Sequence, residues 1–196
     1  MRNDSIREAT IFLSQFRTNT GETFRNLRGN RDPEILREQV NQKFPYRIRE
    51  HRHLRSFEAG EEGMLVWELA FYLFELGVWP DAFFLAGSAG SSLPAPRHLE
   101  LDTTPAGYFS GFKRSAGRVL RIKRSSMYQY QLRQKVFNTF GGLITIPSTT
   151  IINRYEMGAG SFNIWVLACC LNVLGVSIEE YFSEVEADRL EELSNS

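Results

Sequence analysis

Acidic residues are missing from one long stretch of this chain. From Thr103 to Tyr155 there is neither Asp nor Glu. Yet the 196 residues carry 23 acids and 23 Lys or Arg, so the net charge is zero. Cysteine is scarce: Cys169 and Cys170 are the only two, adjacent in the apolar run IWVLACCLNVLG. Neighbours on a helix point about 100° apart, which disfavours a strain-free disulfide between them, so they read as small buried apolar side chains. Histidine occurs only as His51, His53 and His98. His51 and His53 would point about 200° apart on a helix, and no Cys or carboxylate spacing completes a metal site. GSAGSS, the Gly-rich stretch, lacks the Lys-Ser/Thr of a phosphate-binding loop. We therefore expect no cofactor, no metal and no enzyme. There is no apolar run of about 20 residues and no secretory signal. The expectation is a soluble protein of a reducing compartment, the cytoplasm, with no membrane partner.

The acid-free span carries Lys113, Arg114, Arg118, Arg121, Lys123, Arg124, Arg133, Lys135 and Arg154. After Glu156 the balance flips: Glu179, Glu180, Glu184, Glu186, Asp188, Glu191 and Glu192 face Arg189 alone. A block of like charge is often only a solvated face. Here the block is also rich in apolar and aromatic residues, so it should fold with a cationic surface suited to a polyanion.

The chain is written twice. Residues 54–84 lie over 152–182 without a gap: Glu58 meets Glu156, Gly60 meets Gly158, Trp67 meets Trp165, Gly77 meets Gly175 and Phe84 meets Phe182. Upstream, with two residues inserted in GGLITIP, 12–29 lie over 108–125. Ser14, Phe16, Gly21, Arg25 and Arg28 recur as Ser110, Phe112, Gly117, Arg121 and Arg124. Each copy is basic in its first half and acidic in its second, with the flip at the aligned glutamate. The organisation expected is a first unit over 1–85, a Gly/Pro/Ser-rich linker over 86–107 and a second unit over 108–196.

Helical signals dominate both copies. GRVLRIKRS and QYQLRQKVF have apolar residues at helical spacing. A helix starting after Pro147-Ser148 should stop at Gly158. Ser161 is placed to cap the helix ending at Gly175, and Ser177 to cap the acidic last one. The reading is all-α, with GGLITIP as a long turn or a short extended segment. The aromatics of 64–84 exceed what one five-helix unit needs. Trp67, Phe71, Tyr72, Phe74, Trp79 and Phe83 are either shared with the other copy or another chain, or belong to one well-filled core.

Ser148, Thr150, Ile152, Arg154, Tyr155, Glu156 and Gly158, followed by Leu174, Gly175, Val176, Ser177, Glu179, Glu180 and Phe182, stand at the spacing of a known pattern. It is that of the Cro-repressor-like (Xre) helix-turn-helix family, which the second copy resembles. Gln129 stands where that family opens its second helix. Copy one resembles it through LRSFEAG and YLFELGVWPDAFF, with Pro33 in place of the glutamine. The resemblance implies two tandem five-helix Cro/repressor-like helix-turn-helix units and a bacterial, phage or mobile-element setting.

It further implies a transcription regulator that puts recognition helices into the major groove of double-stranded DNA, with two reading heads in one chain. In copy two Thr149, Thr150, Asn153 and Arg154 would face the bases. Gln129 and Ser148 would lie against phosphate at helix N-termini. In copy one the matching positions are His51, Arg52, Arg55 and Ser56. Arg118, Arg121, Lys123 and Arg124 would add sequence-blind phosphate attraction. Tyr155 and Ile152 would pack inward, Glu156 would sit at the turn and Gly158 would supply a left-handed cap. An intramolecular pseudo-dimer or a homodimer follows from the doubling. The rival expectation is a protein-interaction module, in which one unit is a scaffold or binds a protein co-regulator.

Overall fold

Ser148, Asn163 and Ser177 are where local chemistry starts three successive helices. Each turns its side-chain oxygen onto a backbone N–H of the first turn, on Ile151, Trp165 and Glu180 respectively. Asp32 does the same for Glu34 and Ile35 ahead of Pro33, and Thr104 for Gly107 behind Pro105. In this computed structural model, residues 2–44, 48, 52–89 and 104–195 are described. They form α1 (Arg2–Arg28), α2 (Pro33–Lys43), α3 (Arg52–Glu58), α4 (Val66–Glu75), α5 (Pro80–Ala89), α6 (Pro105–Arg124), α7 (Gln129–Phe140), α8 (Thr149–Glu156), α9 (Ile164–Leu174) and α10 (Ile178–Ser194). The protein is all-helical; among the described residues only isolated bridges occur, and Gly141↔Ile144 closes the turn in GGLITIP. Two expectations change. Asn163, not Ser161, caps α9. The segment expected as linker is helical at both ends, since α5 reaches Ala89 and α6 starts at Pro105; 90–103 lie outside the described residues. No single helix is long and apolar enough to cross a membrane.

The repeat in the sequence is a repeat in space. α1 packs on α3 as α6 packs on α8, and α2 on α4 as α7 on α9. Gly21 and Gly117 explain their own recurrence: a Cβ at Gly21 would come within 2.8 Å of the Glu58 carbonyl, and one at Gly117 within 2.7 Å of the Glu156 carbonyl. The first helix of each repeat therefore approaches the third backbone to backbone. Gly60 and Gly158 follow at φ of 71° and 68°, the left-handed stop that a side chain resists.

A local two-fold relates the repeats. Leu65 and Asn163, equivalent positions, form an antiparallel bridge. The Val66 N–H donates to the Phe162 carbonyl at 2.9 Å, and the Ile164 N–H donates to the Met64 carbonyl at 2.8 Å. Arg17 lies 4.2 Å over the Trp165 ring and its equivalent Lys113 lies 4.1 Å over Trp67. Phe84 stacks on its own counterpart Phe182 at 4.8 Å, flanked by Phe16 and Phe112 at 6.2 and 6.3 Å. Such reciprocal pairing is the signature of an isologous interface, here within one chain. One hydrophobic core runs through both repeats. The aromatic surplus of 64–84 is spent on it: Trp67 and Phe71 meet Phe109, while Phe74 and Trp79 meet Tyr108. Tyr72 and Phe83 instead pack on Phe24 within repeat one. Cys169 and Cys170 are buried and free; burial pushes the Cys169 thiol up to about 12 and raises Cys170 further.

Candidate nucleic-acid interface

Three buried side chains anchor α8 and decide what it can present. Ile152, Tyr155 and Glu156 face inward. The Tyr155 hydroxyl meets that of Tyr181 at 3.0 Å, and Tyr181 donates to the Ala116 carbonyl at 2.7 Å. This chain ties α8 to α10 and α6, and burial raises both phenols well above their ordinary value. On the opposite face Thr149, Thr150, Ile151, Asn153 and Arg154 are exposed. Arg154 donates to the Ala159 carbonyl at 3.4 Å, and the Asn153 amide reaches only the Met157 sulfur at 3.7 Å. Ser148, the cap, is exposed as well.

α7 extends the same acid-free surface. Tyr130, Gln131, Arg133, Gln134, Lys135, Phe137 and Asn138 are exposed. Tyr128 and Tyr130 stack with ring centres 5.9 Å apart, and both are open to solvent. Arg121 is exposed beside Tyr128 around a concavity of about 660 Å³. Arg121, Arg133 and Lys135 make no ion pair among the described residues. Arg133 and Lys135 were visible only as part of a basic block; the fold separates them from the arginines that are already paired. The connection from α7 to α8 takes eight residues, 141–148, against the 3–4 of a tight helix-turn-helix turn.

Several expected phosphate contacts are otherwise engaged. Arg124 is 9% exposed and grips Glu156 with two hydrogen bonds, Nε to Oε1 at 2.7 Å and Nη2 to Oε2 at 3.0 Å. Gln129 donates to the same carboxylate at 2.9 Å, which orients it. Lys123 lies 2.6 Å from both Glu180 and Glu184, whose hydrogen bonds raise its pKa. Arg114 pairs with Glu192, and Arg118 pairs with Asp188 and Glu192. The basic half of the repeat is thus largely neutralised by its own acidic last helix. α10 pairs with Lys123 and Arg118 in this way, while Arg124 is held by Glu156 of α8. Glu156 is the last residue of α8, at the turn that Gly158 closes, and its carboxylate is buried there as the acceptor of Arg124 and Gln129. Repeat one has the same clamp, with Arg28 bonded twice to Glu58 at 2.5 and 2.8 Å.

The equivalent surface of repeat one differs. Arg55 is exposed; Ser56 is half-buried, and its carbonyl accepts from the Glu61 and Glu62 amides. Arg52 opens α3, and His51 lies outside the described residues. α2 bears carboxylates where α7 has none: Glu34 and Glu38 pair with Arg37 at 3.1 and 4.0 Å. His53 meets Glu62 at 3.1 Å. Among the described residues no group of three His, Cys, Asp or Glu is placed to hold a metal ion.

No protein-family model, no curated protein and no solved structure matches the chain.

Proposed function

We propose that the protein is a sequence-specific double-stranded DNA-binding transcription regulator of the Cro-repressor-like (Xre) kind, with two helix-turn-helix units in one cytoplasmic chain. The observation that carries this reading is the α7–α8 face: exposed, free of acids, and built of hydroxyl, amide and guanidinium groups on a capped, core-anchored helix. α8 enters the major groove. Thr149 and Thr150 meet base edges or a thymine methyl, Asn153 pairs with adenine and Arg154 with guanine. Arg121, Arg133, Lys135 and Ser148 hold phosphates. The internal two-fold supports a pseudo-dimer whose second head, α3 with Arg52, Arg55 and His51, reads a different half-site.

A second reading rests on the carboxylates of α2, which repel phosphate. In it repeat one is a scaffold or a docking site for a protein co-regulator, and repeat two alone reads DNA.

In vitro selection from random duplex DNA, with affinities at two salt concentrations, tests both. Two enriched half-sites of unlike sequence support two reading heads. One enriched half-site transfers repeat one to the second reading. Binding without enrichment, lost as salt rises, refutes sequence-specific regulation. With an enriched site in hand, Asn153→Ala and Arg154→Ala should each cost about 1–3 kcal/mol and relax specificity at one base. Arg133→Ala should weaken all sequences alike and reduce the salt slope by about one.

A further inference from the structure

The internal two-fold creates two equivalent junctions between the repeats, and they are not filled alike. In one junction Tyr108 and Phe112 of α6 face the turn from α4 to α5. Phe74 and Trp79 pack on Tyr108 at 4.8 and 5.5 Å between ring centres. The Arg189 guanidinium lies over Trp79 at 4.7 Å and over Tyr108 at 5.1 Å. Tyr108 and Arg189 are each 1% exposed, so this junction is closed. Asp81 opens α5 beside it.

In the other junction the matching residues are Phe12, Phe16, Asn172, Ser177 and Glu179. Phe12 and Phe16 keep the ring arrangement, 6.2 Å and 14° against 5.9 Å and 26° for Tyr108 and Phe112. Among the described residues the fillers are not matched: Asn172 stands for Phe74 and Ser177 for Trp79. The position matching Arg189, Ser91, lies outside the described residues. A cavity of about 370 Å³ opens between α1 and the turn from α9 to α10, lined by Phe12, Phe16, Asn172, Val176, Ile178 and Glu179. A smaller one of about 60 Å³ continues it past Phe16, again with Ile178 and Glu179 in the wall. Glu179 matches Asp81 in the alignment and borders the cavity; the carboxylate that holds Arg189 in the closed junction is Glu186.

We propose that this cavity is a binding site for a small organic cation with a flat apolar body, of the aryl-alkyl amine class. The ligand supplies from outside what Trp79 and Arg189 supply in the closed junction. Its ring covers Phe12 and Phe16, and its ammonium meets the Glu179 carboxylate. The volume is that of a small-ligand site, mostly apolar with one placed charge. Bound there, the ligand touches α1 of one repeat and α9–α10 of the other. The site stands whether or not the protein binds DNA.

The test is titration of the full chain with tryptamine and phenethylamine, against indole, indole-3-acetate and butylamine, followed by calorimetry and amide NMR shifts. The expected result is saturable binding of at least one aryl amine, with shifts over Asn172–Glu179 and around Phe12. Butylamine and indole-3-acetate should bind at least tenfold more weakly. Glu179→Gln should weaken the amine about tenfold and leave indole unchanged. The double substitution Asn172→Phe with Ser177→Trp, which copies the closed junction, should abolish binding. If neither amine binds, if the acid binds as tightly as the amine, or if Glu179→Gln leaves the preference intact, the proposal is wrong.

Discussion

Arg124 and Glu156 show how one buried pair organises its surroundings. Taking both charges out of water is costly, and a second donor, Gln129, adds a hydrogen bond to the carboxylate. Removing one partner strands the other. Glu156→Ala, and equally Arg28→Ala in the matching pair of repeat one, should each destabilise the protein by about 3–5 kcal/mol in urea melts. A loss under 1 kcal/mol would mean that the clamp is open to water. Both members of each pair recur in the sequence repeat, so the signal was present. Read locally, however, the glutamate is only a helix end, because its arginine lies 32 residues upstream. Glu186 makes a second prediction. Burial first of all raises its pKa from 4.5 to about 7, against the pull of Arg189. The folded state therefore holds this proton more tightly than the unfolded chain. The resulting stability is complete below about pH 4.5 and is lost as pH rises through 7. Between those limits Glu186→Gln should gain on the parent by up to about 3 kcal/mol, at 1.36 kcal/mol per pH unit. A flat difference across that window would place Glu186 in contact with water.

Helix packing accounts for the charge pattern that single residues leave obscure. α6 is basic and α10 acidic because they lie against each other, through Arg114, Arg118, Lys123 and their carboxylates. The alternation along the chain is thus complementarity within a repeat. For the proposed DNA contact that leaves α7, α8 and Arg121. Helix ends were legible from caps and glycines, since these act over a few residues. The exception is Asn163: it caps α9 while its amide donates to the Gly63 carbonyl at 2.8 Å, and that partner is a hundred positions away. The contact between first and third helices predicts the cost of a methyl group. Gly117→Ala must push α6 off α8 and should cost about 1–3 kcal/mol by overpacking, with Gly21→Ala close behind. Gly175→Ala, whose Cβ meets nothing within 4 Å, should cost only its left-handed backbone strain. Equal losses in all three would contradict the close approach.

Across the whole molecule, the ladder Phe16–Phe84–Phe182–Phe112 and the reciprocal Val66 and Ile164 hydrogen bonds make the two repeats one body. Their shared core is too apolar to be exposed, so separation of the halves is not a rigid-body hinge. Thermal unfolding followed by circular dichroism and by tryptophan fluorescence should give one coincident transition. Phe182→Ala should lower stability by about 3–5 kcal/mol without splitting that transition. Two separate transitions would show that the repeats fold independently.

Local and periodic facts were readable in the chain itself: all-helical structure, the doubling, the glycine stops, and the inward Ile152 and Tyr155. All depend on neighbours within a turn or two, or on self-similarity. Tertiary contact alone assigned the charges, sending Lys123, Arg124 and Gln129 to carboxylates and leaving Arg121, Arg133 and Lys135 to solvent. It alone also closed one junction between the repeats and left a cavity among the described residues of the other. Those outcomes rest on pairings between residues tens of positions apart, and a linear pattern carries the charges and the volumes but not which of them meet.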